Sequence, residues 1–209
     1  MPTPPSTRDR LIAAAEVLFA ERGVEAASLR DITGQAGTNL AAVNYHFGSK
    51  EGLLRAVLEA RLHPINARRL ELLEAIEASR LMTVERLLEA FICPTVDPEL
   101  APGEHFLQLM VRVHHAGDEV TTEVLGEIFG PVASRYLTAL TKVLPSIPPG
   151  RVLQRMQFVI GAMIHSLFTK GPSKCPLSDR LPASPNVVVD DEAYLQEFVA
   201  FCAAGLRHE

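Results

Sequence analysis

The 209-residue chain has no tryptophan, only three cysteines and 6% aromatic residues. Cys93, Cys175 and Cys202 are odd in number and include no Cys-x-x-Cys pair. That argues against a disulfide scaffold and for free thiols in a reducing compartment. No apolar run approaches the roughly 18 residues of a membrane span. The longest candidate, Phe158 to Ile164, is broken at His165. The opening MPTPPSTRDR has no apolar stretch that could serve as a secretory h-region. Gly-x-Ser-x-Gly, a phosphate loop and a dinucleotide fingerprint are also missing, and with them the marks of several large enzyme classes. The expectation is a cytoplasmic protein with no catalytic residue, no cofactor, no metal and no membrane contact.

What is present is apolar and unevenly charged. Hydrophobic residues make up 47% and charged residues 22%, enough for a sizeable core and too apolar for wholesale disorder. The length fits one or two domains. Residues 1–62 hold seven basic and seven acidic side chains, so the net charge of −5 lies wholly in the remainder. An acidic whole argues against nucleic acid, because phosphate neutralisation drives such binding. Any DNA reading must therefore rest on local geometry.

Helical periodicity runs along almost the whole chain. Leu11, Ile12, Ala15, Leu18 and Phe19 share one face of a first helix, with Ser6 and Asp9 as a capping pair and Gly23 as the stop. Ser28 stands three residues before Asp31, so a second helix starts at Leu29, and Gly37 closes it. Asn39 caps a short third helix, Leu40 to His46, whose Leu40, Val43 and Phe47 point inward. A long fourth helix starts near Lys50, and Pro64 is expected to kink or end it. A fifth runs from Thr83 to Cys93-Pro94, and a sixth carries Phe106, Leu109, Met110 and Val113 up to Gly117. The seventh spans about Val120 to Leu144, bent at Gly130-Pro131. The eighth, Arg151 to Lys170, is apolar nearly all round from Phe158 to Ile164, which predicts burial on several sides. Residues 171–189 read as a proline-rich loop, and a ninth helix spans Asp191 to Leu206. The fold class is all-α, with about nine helices and no strand.

The short third helix carries the functional signal. A helix of that length buries little by itself. Its outward face is small (Ala41, Ala42), then polar and aromatic. Asn44 has the donor and acceptor that recognise adenine, and an alanine methyl suits a thymine methyl. Tyr45 and His46 can donate to phosphate. Ser49 and Lys50 place a helix start and a cation where a second phosphate would bind, and Ser28 offers a third contact. Helix, glycine turn, short helix is the helix-turn-helix order, whose second helix enters the major groove. The same pattern also fits a capped three-helix subdomain with no partner.

The stretch from Arg10 to Leu54 resembles the N-terminal domain of the TetR/AcrR family of bacterial transcriptional regulators. The resemblance lies in Ala14-Ala15, Leu18-Phe19, Gly23, Ser28-Leu29-Arg30-Asp31-Ile32, Ala36-Gly37 and Val43-Asn44-Tyr45-His46-Phe47-Gly48-Ser49-Lys50-Glu51-Gly52-Leu53. It implies a helix-turn-helix DNA-binding domain over residues 1–50 and a helical ligand-binding and dimerisation domain over 51–209. It further implies a homodimeric repressor, released from a palindromic double-stranded operator by a small molecule. The DNA-contacting positions would be Ser28, Arg30, Thr38, Asn39, Leu40, Ala41, Ala42, Asn44, Tyr45, His46 and Lys50. Many members have Gly where this chain has Ala41 and Tyr where it has Asn44, so the recognition role falls on Asn44 and Tyr45 together. The Asn39-to-Lys50 stretch, the Pro64 position and the closing Ala203 to Arg207 are similar to a subgroup responsive to fatty acids or acyl-CoA.

Dimer contact is expected through helices eight and nine, where Gly161 and Ala162 allow close packing. A hydrophobic effector would meet Phe91, Phe106, Met110, Val113, His114, Phe129, Phe158, Met163 and Phe168. Such a stripe serves equally as plain core. Arg112, His114 and His115 could supply a polar end for a carboxylate or phosphate head group. A metal sensor is the rival ligand class, but no His pair stands at i, i+4 on a continuous helix. An enzyme and a helical adaptor are the alternatives of different class.

Overall fold

The structure, a computed structural model, describes residues 4–97, 99–100, 103–117, 119–168 and 191–208. Among the described residues are nine α-helices, one 3-10 helix and no strand. The helices are α1 (Thr7–Arg22), α2 (Leu29–Gln35), α3 (Leu40–Phe47), α4 (Lys50–Ser79), α5 (Val84–Ile92), α6 (Gly103–Ala116), α7 (Glu119–Val143), α8 (Pro149–Phe168) and α9 (Asp191–Arg207). The 3-10 turn Cys93–Thr95 follows α5. The all-α expectation and the helix count agree with this. The proline-rich loop 171–189, Cys175 and the Phe168 side chain lie outside the described residues.

The helix starts follow the capping chemistry of the sequence. The Ser6 hydroxyl accepts from the Asp9 amide at 3.2 Å while the Asp9 carboxylate accepts from the Ser6 amide, a complete capping box. The Ser6 hydroxyl, which donates to Asp9 Oδ2 at 2.7 Å, and the Ser6 amide hold the Asp9 carboxyl below its ordinary pKa. Thr83 caps α5 by accepting from the Arg86 amide at 3.3 Å.

Of the two outcomes expected at Pro64, a kink or an end, the end does not occur: α4 runs through it to Ser79. Proline removes one backbone bond, and buried Leu62 and Ile65 on either side anchor the flanking turns. Pro131 likewise sits inside an uninterrupted α7.

By compactness the chain divides into two units, Met1–Pro64 with Pro102–Phe129, and Ile65–Ala101 with Gly130–Glu209. In the first unit Leu11, Ala15, Phe19, Ile32, Val43 and Leu53 are fully buried. Here α6 packs along α1 through Phe106, Leu109, Met110 and Val113. The carboxylate of Glu16, itself buried, takes two bonds from Arg61 at 2.7 and 3.3 Å, pinning α1 to α4.

The second unit has its own core, with Leu73, Leu87, Phe91, Tyr136, Leu140, Val152, Met163, Val199 and Leu206 among its members. At its centre Arg69 is 2% exposed. Its guanidinium donates to the Phe91 carbonyl at 2.7 Å, Asn66 Oδ1 at 3.1 Å and Thr95 Oγ1 at 2.9 Å. It also lies 4.3 Å over the Phe91 ring. Burial lowers its pKa to about 10, which leaves it charged at neutral pH. Cys202 is buried and its thiol is pushed up to about 11, an unreactive state.

The eighth helix departs from its expected burial. Val159, Met163 and Ile164 are buried, but Phe158 is 65% and Leu153 48% exposed. Phe201 on α9 is 70% exposed. Phe158, Leu153 and Phe201 therefore leave apolar surface of α8 and α9 exposed.

Candidate nucleic-acid interface

The head is built by two caps and a tight turn. Ser28 starts α2 by accepting from the Asp31 amide at 3.1 Å, and Asp31 in turn pairs with Arg22 at 3.0 Å. After α2 the chain turns at Gly37, whose φ of +61° is left-handed backbone that favours glycine. The Gly37 carbonyl accepts from Arg10 Nη1 at 3.5 Å, tying the turn to α1. Asn39 then caps α3 through its Oδ1, which accepts from the Ala42 amide at 3.1 Å.

Along α3 only Val43 is buried, and it is fully so. Asn44, Tyr45 and His46 face water, Tyr45 with 84% of its surface exposed. Ala41 is exposed and Ala42 half-buried. The Tyr45 and His46 rings meet edge to face at 4.9 Å. Two inward expectations need correction: Leu40 is 44% exposed and Phe47 is only half-buried. A helix this short has one residue on its innermost line, and Val43 occupies it.

The rim is polar. Ser28, Arg30 and Asn39 are exposed, and Thr38 is half-buried. The Ser28 and Asn39 side-chain oxygens act as caps, leaving the Ser28 hydroxyl proton and the Asn39 amide protons for an outside acceptor. Ser49 caps the start of α4 by accepting from the Gly52 amide at 3.1 Å. The Ser49 hydrogen bond also holds the Glu51 carboxyl below its ordinary value. Lys50 is partly engaged inside the protein: its Nζ donates to the Glu25 carbonyl at 2.8 Å. Two ammonium protons remain for an outside acceptor.

Sequence reasoning passed over Arg8 and Arg10 as site residues. Arg8 lies 5.7 Å over the Phe47 ring, which brings an exposed cation to the end of α3. Arg10, also exposed, ties α1 to the Gly37 turn. The available signal was their place in the first turn of α1.

The expected effector residues divide between the two units. Phe106, Met110 and Val113 are buried in the first, where His114 is exposed and Phe129 half-buried. Phe91 and Met163 are buried in the core of the second. There Phe91 stacks edge-on against Tyr136 at 5.1 Å. Phe158 is open to solvent, because it lies on the outer face of α8. Among the described residues no group of three or more His, Cys, Asp or Glu is arranged to hold a metal ion. None of the described helices is long and apolar enough to cross a membrane.

Comparison with known proteins bears directly on this head. Residues 11–57 match the family described as bacterial regulatory proteins, tetR family. Residues 89–205 match the tetracyclin repressor-like, C-terminal domain. The HTH-type transcriptional regulator TtgW of Pseudomonas putida is 31% identical over 106 residues, which is 50% of this chain and 72% of TtgW. SrpR, an HTH-type transcriptional regulator of Pseudomonas putida, is 31% identical over 106 residues, 50% of this chain and 46% of SrpR, so the match spans about half of that relative. The TetR family regulator PfmR of Thermus thermophilus superposes with a TM-score of 0.61 at 19% identity, over 98% of each chain, which is a likeness of fold. These matched families and relatives are transcriptional regulators rather than enzymes. The chain belongs to the TetR family of bacterial regulatory proteins, as a helix-turn-helix DNA-binding transcriptional regulator.

Proposed function

We propose that the protein is a cytoplasmic homodimeric repressor that grips a pseudo-palindromic operator with one α3 in each of two major grooves. The observation that carries the reading is the split of α3 into a buried Val43 and a solvated Asn44-Tyr45-His46 face. The Asn44 side chain makes no hydrogen bond among the described residues, so its amide is available to pair with an adenine edge. Ser28, Arg30, Thr38, Asn39, Tyr45, His46 and Lys50 position the helix on phosphate, and Leu40, Ala41 and Ala42 approach the groove wall. The division of labour puts DNA contact within residues 1–50 and effector and dimer contact within 51–209.

Dimerisation through α8 and α9 is supported by exposed Phe158 and Phe201. They flank an apolar surface groove of about 200 Å³ that includes Val159, Ala162, Cys202 and Leu206. A second copy covering these rings would remove two large aromatic surfaces from water. A hydrophobic effector, of fatty-acid or acyl-CoA type, would then release the operator by favouring the state that does not bind DNA. A mobility-shift assay at stated salt tests the whole reading. Sequence-selective, salt-sensitive retention supports it, and no retention at low salt removes it.

A further inference from the structure

A second cleft lies inside the first unit, between the α1–α2 turn and the C-terminal half of α6. It is open to solvent and measures about 620 Å³. Arg22, Arg112 and His115 line it together with the aliphatic side chains of Val24, Ala26 and Val113. We propose that this cleft binds a small amphipathic monocarboxylate, with the carboxylate on Arg112 and the apolar body over the aliphatic residues.

The chemistry follows from how each cation is already used. Arg22 is shared with Asp31 at 3.0 Å, so most of its charge is answered within the protein. Arg112 is different. It donates once, from Nη2 to the Glu21 carbonyl at 3.1 Å, and forms no ion pair among the described residues. That bond orients the guanidinium without neutralising it, and leaves the other N–H groups of its planar fork for an outside acceptor. A carboxylate matches that fork in two parallel bonds. His115 Nδ1 donates to the Val111 carbonyl at 2.7 Å, because a carbonyl can only accept. Its Nε2 is thereby left for the cleft or solvent.

The remaining lining restricts the ligand class. One uncompensated guanidinium suits a single negative charge. The carboxylate of Glu25, also at the rim, disfavours a dianion such as phosphate. Three adjacent aliphatic side chains reward an apolar body, as small-molecule sites do generally.

The site is placed to influence the head. The carbonyl of Glu25, in the turn that forms one wall, accepts from Lys50 Nζ at 2.8 Å. Lys50 is the first residue of α4, separated from the end of α3 only by Gly48 and Ser49. A ligand that fixes the turn therefore fixes the acceptor that anchors the start of α4. Binding itself stands apart from the DNA reading, whereas this effect on the head rests on it.

Calorimetric titration of the full chain with sodium octanoate tests the proposal, with 1-octanol as the uncharged control. Saturable octanoate binding is expected, with one site per chain that depends on Arg112 and is distinct from any effector site in the remaining helices. Arg112→Ala should weaken it about tenfold or more, the loss of charge-assisted hydrogen bonds, and leave octanol unchanged. Ala26→Glu, at an exposed wall position, should abolish it and keeps the test valid if Arg112→Ala fails to fold. Equal octanoate affinity in the parent and in a folded variant would overturn the site, as would no saturable binding in the millimolar range. Operator retention is measured separately on duplex DNA, so failure of the ligand site and failure of the DNA reading appear in different experiments.

Discussion

Gly52 and Phe47 approach so closely that a Cβ on Gly52 would stand 2.0 Å from the Phe47 carbonyl oxygen. The end of α3 is wedged against the first turn of α4, and only a residue without a side chain fits. The obstacle is backbone, so no rotamer change relieves it. Gly52→Ala should therefore lower stability by roughly 2–3 kcal/mol, the scale of overpacking in a tight site. Thermal unfolding checks this, with a midpoint several degrees lower expected. An unchanged midpoint would mean that the α3–α4 turn relaxes freely.

The buried Arg69 organises the second unit. Arg69→Ala would leave the Phe91 carbonyl, Asn66 Oδ1 and Thr95 Oγ1 without this donor. A loss of about 3 kcal/mol or more is expected in urea unfolding. Arg69→Lys should recover only part of it, because one ammonium cannot span three acceptors that a planar fork reaches together.

Phe158→Glu and Phe201→Glu test the dimer surface. Both side chains are exposed in one protomer, so either change should leave that protomer folded. Sedimentation should show dimer in the parent and monomer in each variant. Operator retention should fall with the loss of the second head. Dimeric variants would place the contact elsewhere.

Acid should loosen the α5–α9 contact. The Arg207 hydrogen bond holds the Glu85 carboxyl below its ordinary 4.5. With the folded pKa below the unfolded one, the contribution of Glu85 is complete above about 4.5 and is lost as pH falls through the folded value. The side chain is well exposed, so the effect is about 0.5 kcal/mol. Glu85→Gln should remove that amount at neutral pH and flatten the acid limb of a stability-versus-pH curve. An acid limb identical to the parent's would assign acid sensitivity to other carboxylates.

The helix starts were legible in the sequence because they are governed by local rules. Ser6, Ser28, Asn39 and Thr83 are caps, and a cap is a short-range event written within three residues. The same holds for Gly23 and Gly37. What escaped depends on long-range packing. Pro64 reads as a kink or an end of its helix, yet α4 runs through it, with Leu62 and Ile65 buried on either side. Lys50 reads as a free cation, and its bond to Glu25 joins positions 25 residues apart. Phe158 reads as core, because periodicity records that a face is apolar but not which partner covers it. The effector residues were legible only as apolar stripes, and their division between two units depends on which helices pair.

In vitro selection from a random duplex library with the parent protein, Asn44→Ala and Tyr45→Ala tests the central claim most directly. Both side chains are solvent-facing, so stability should stay within about 0.5 kcal/mol of the parent. The parent should enrich a pseudo-palindrome with half-sites about one helical turn apart, ~34–36 Å, or a wider spacing if the dimer is broad. Asn44→Ala should lose ~1–3 kcal/mol of affinity and relax the preference at one base pair per half-site. Identical enriched sequences and equal affinities for the parent and both variants would contradict it, and the α3 face would not be the surface that reads DNA.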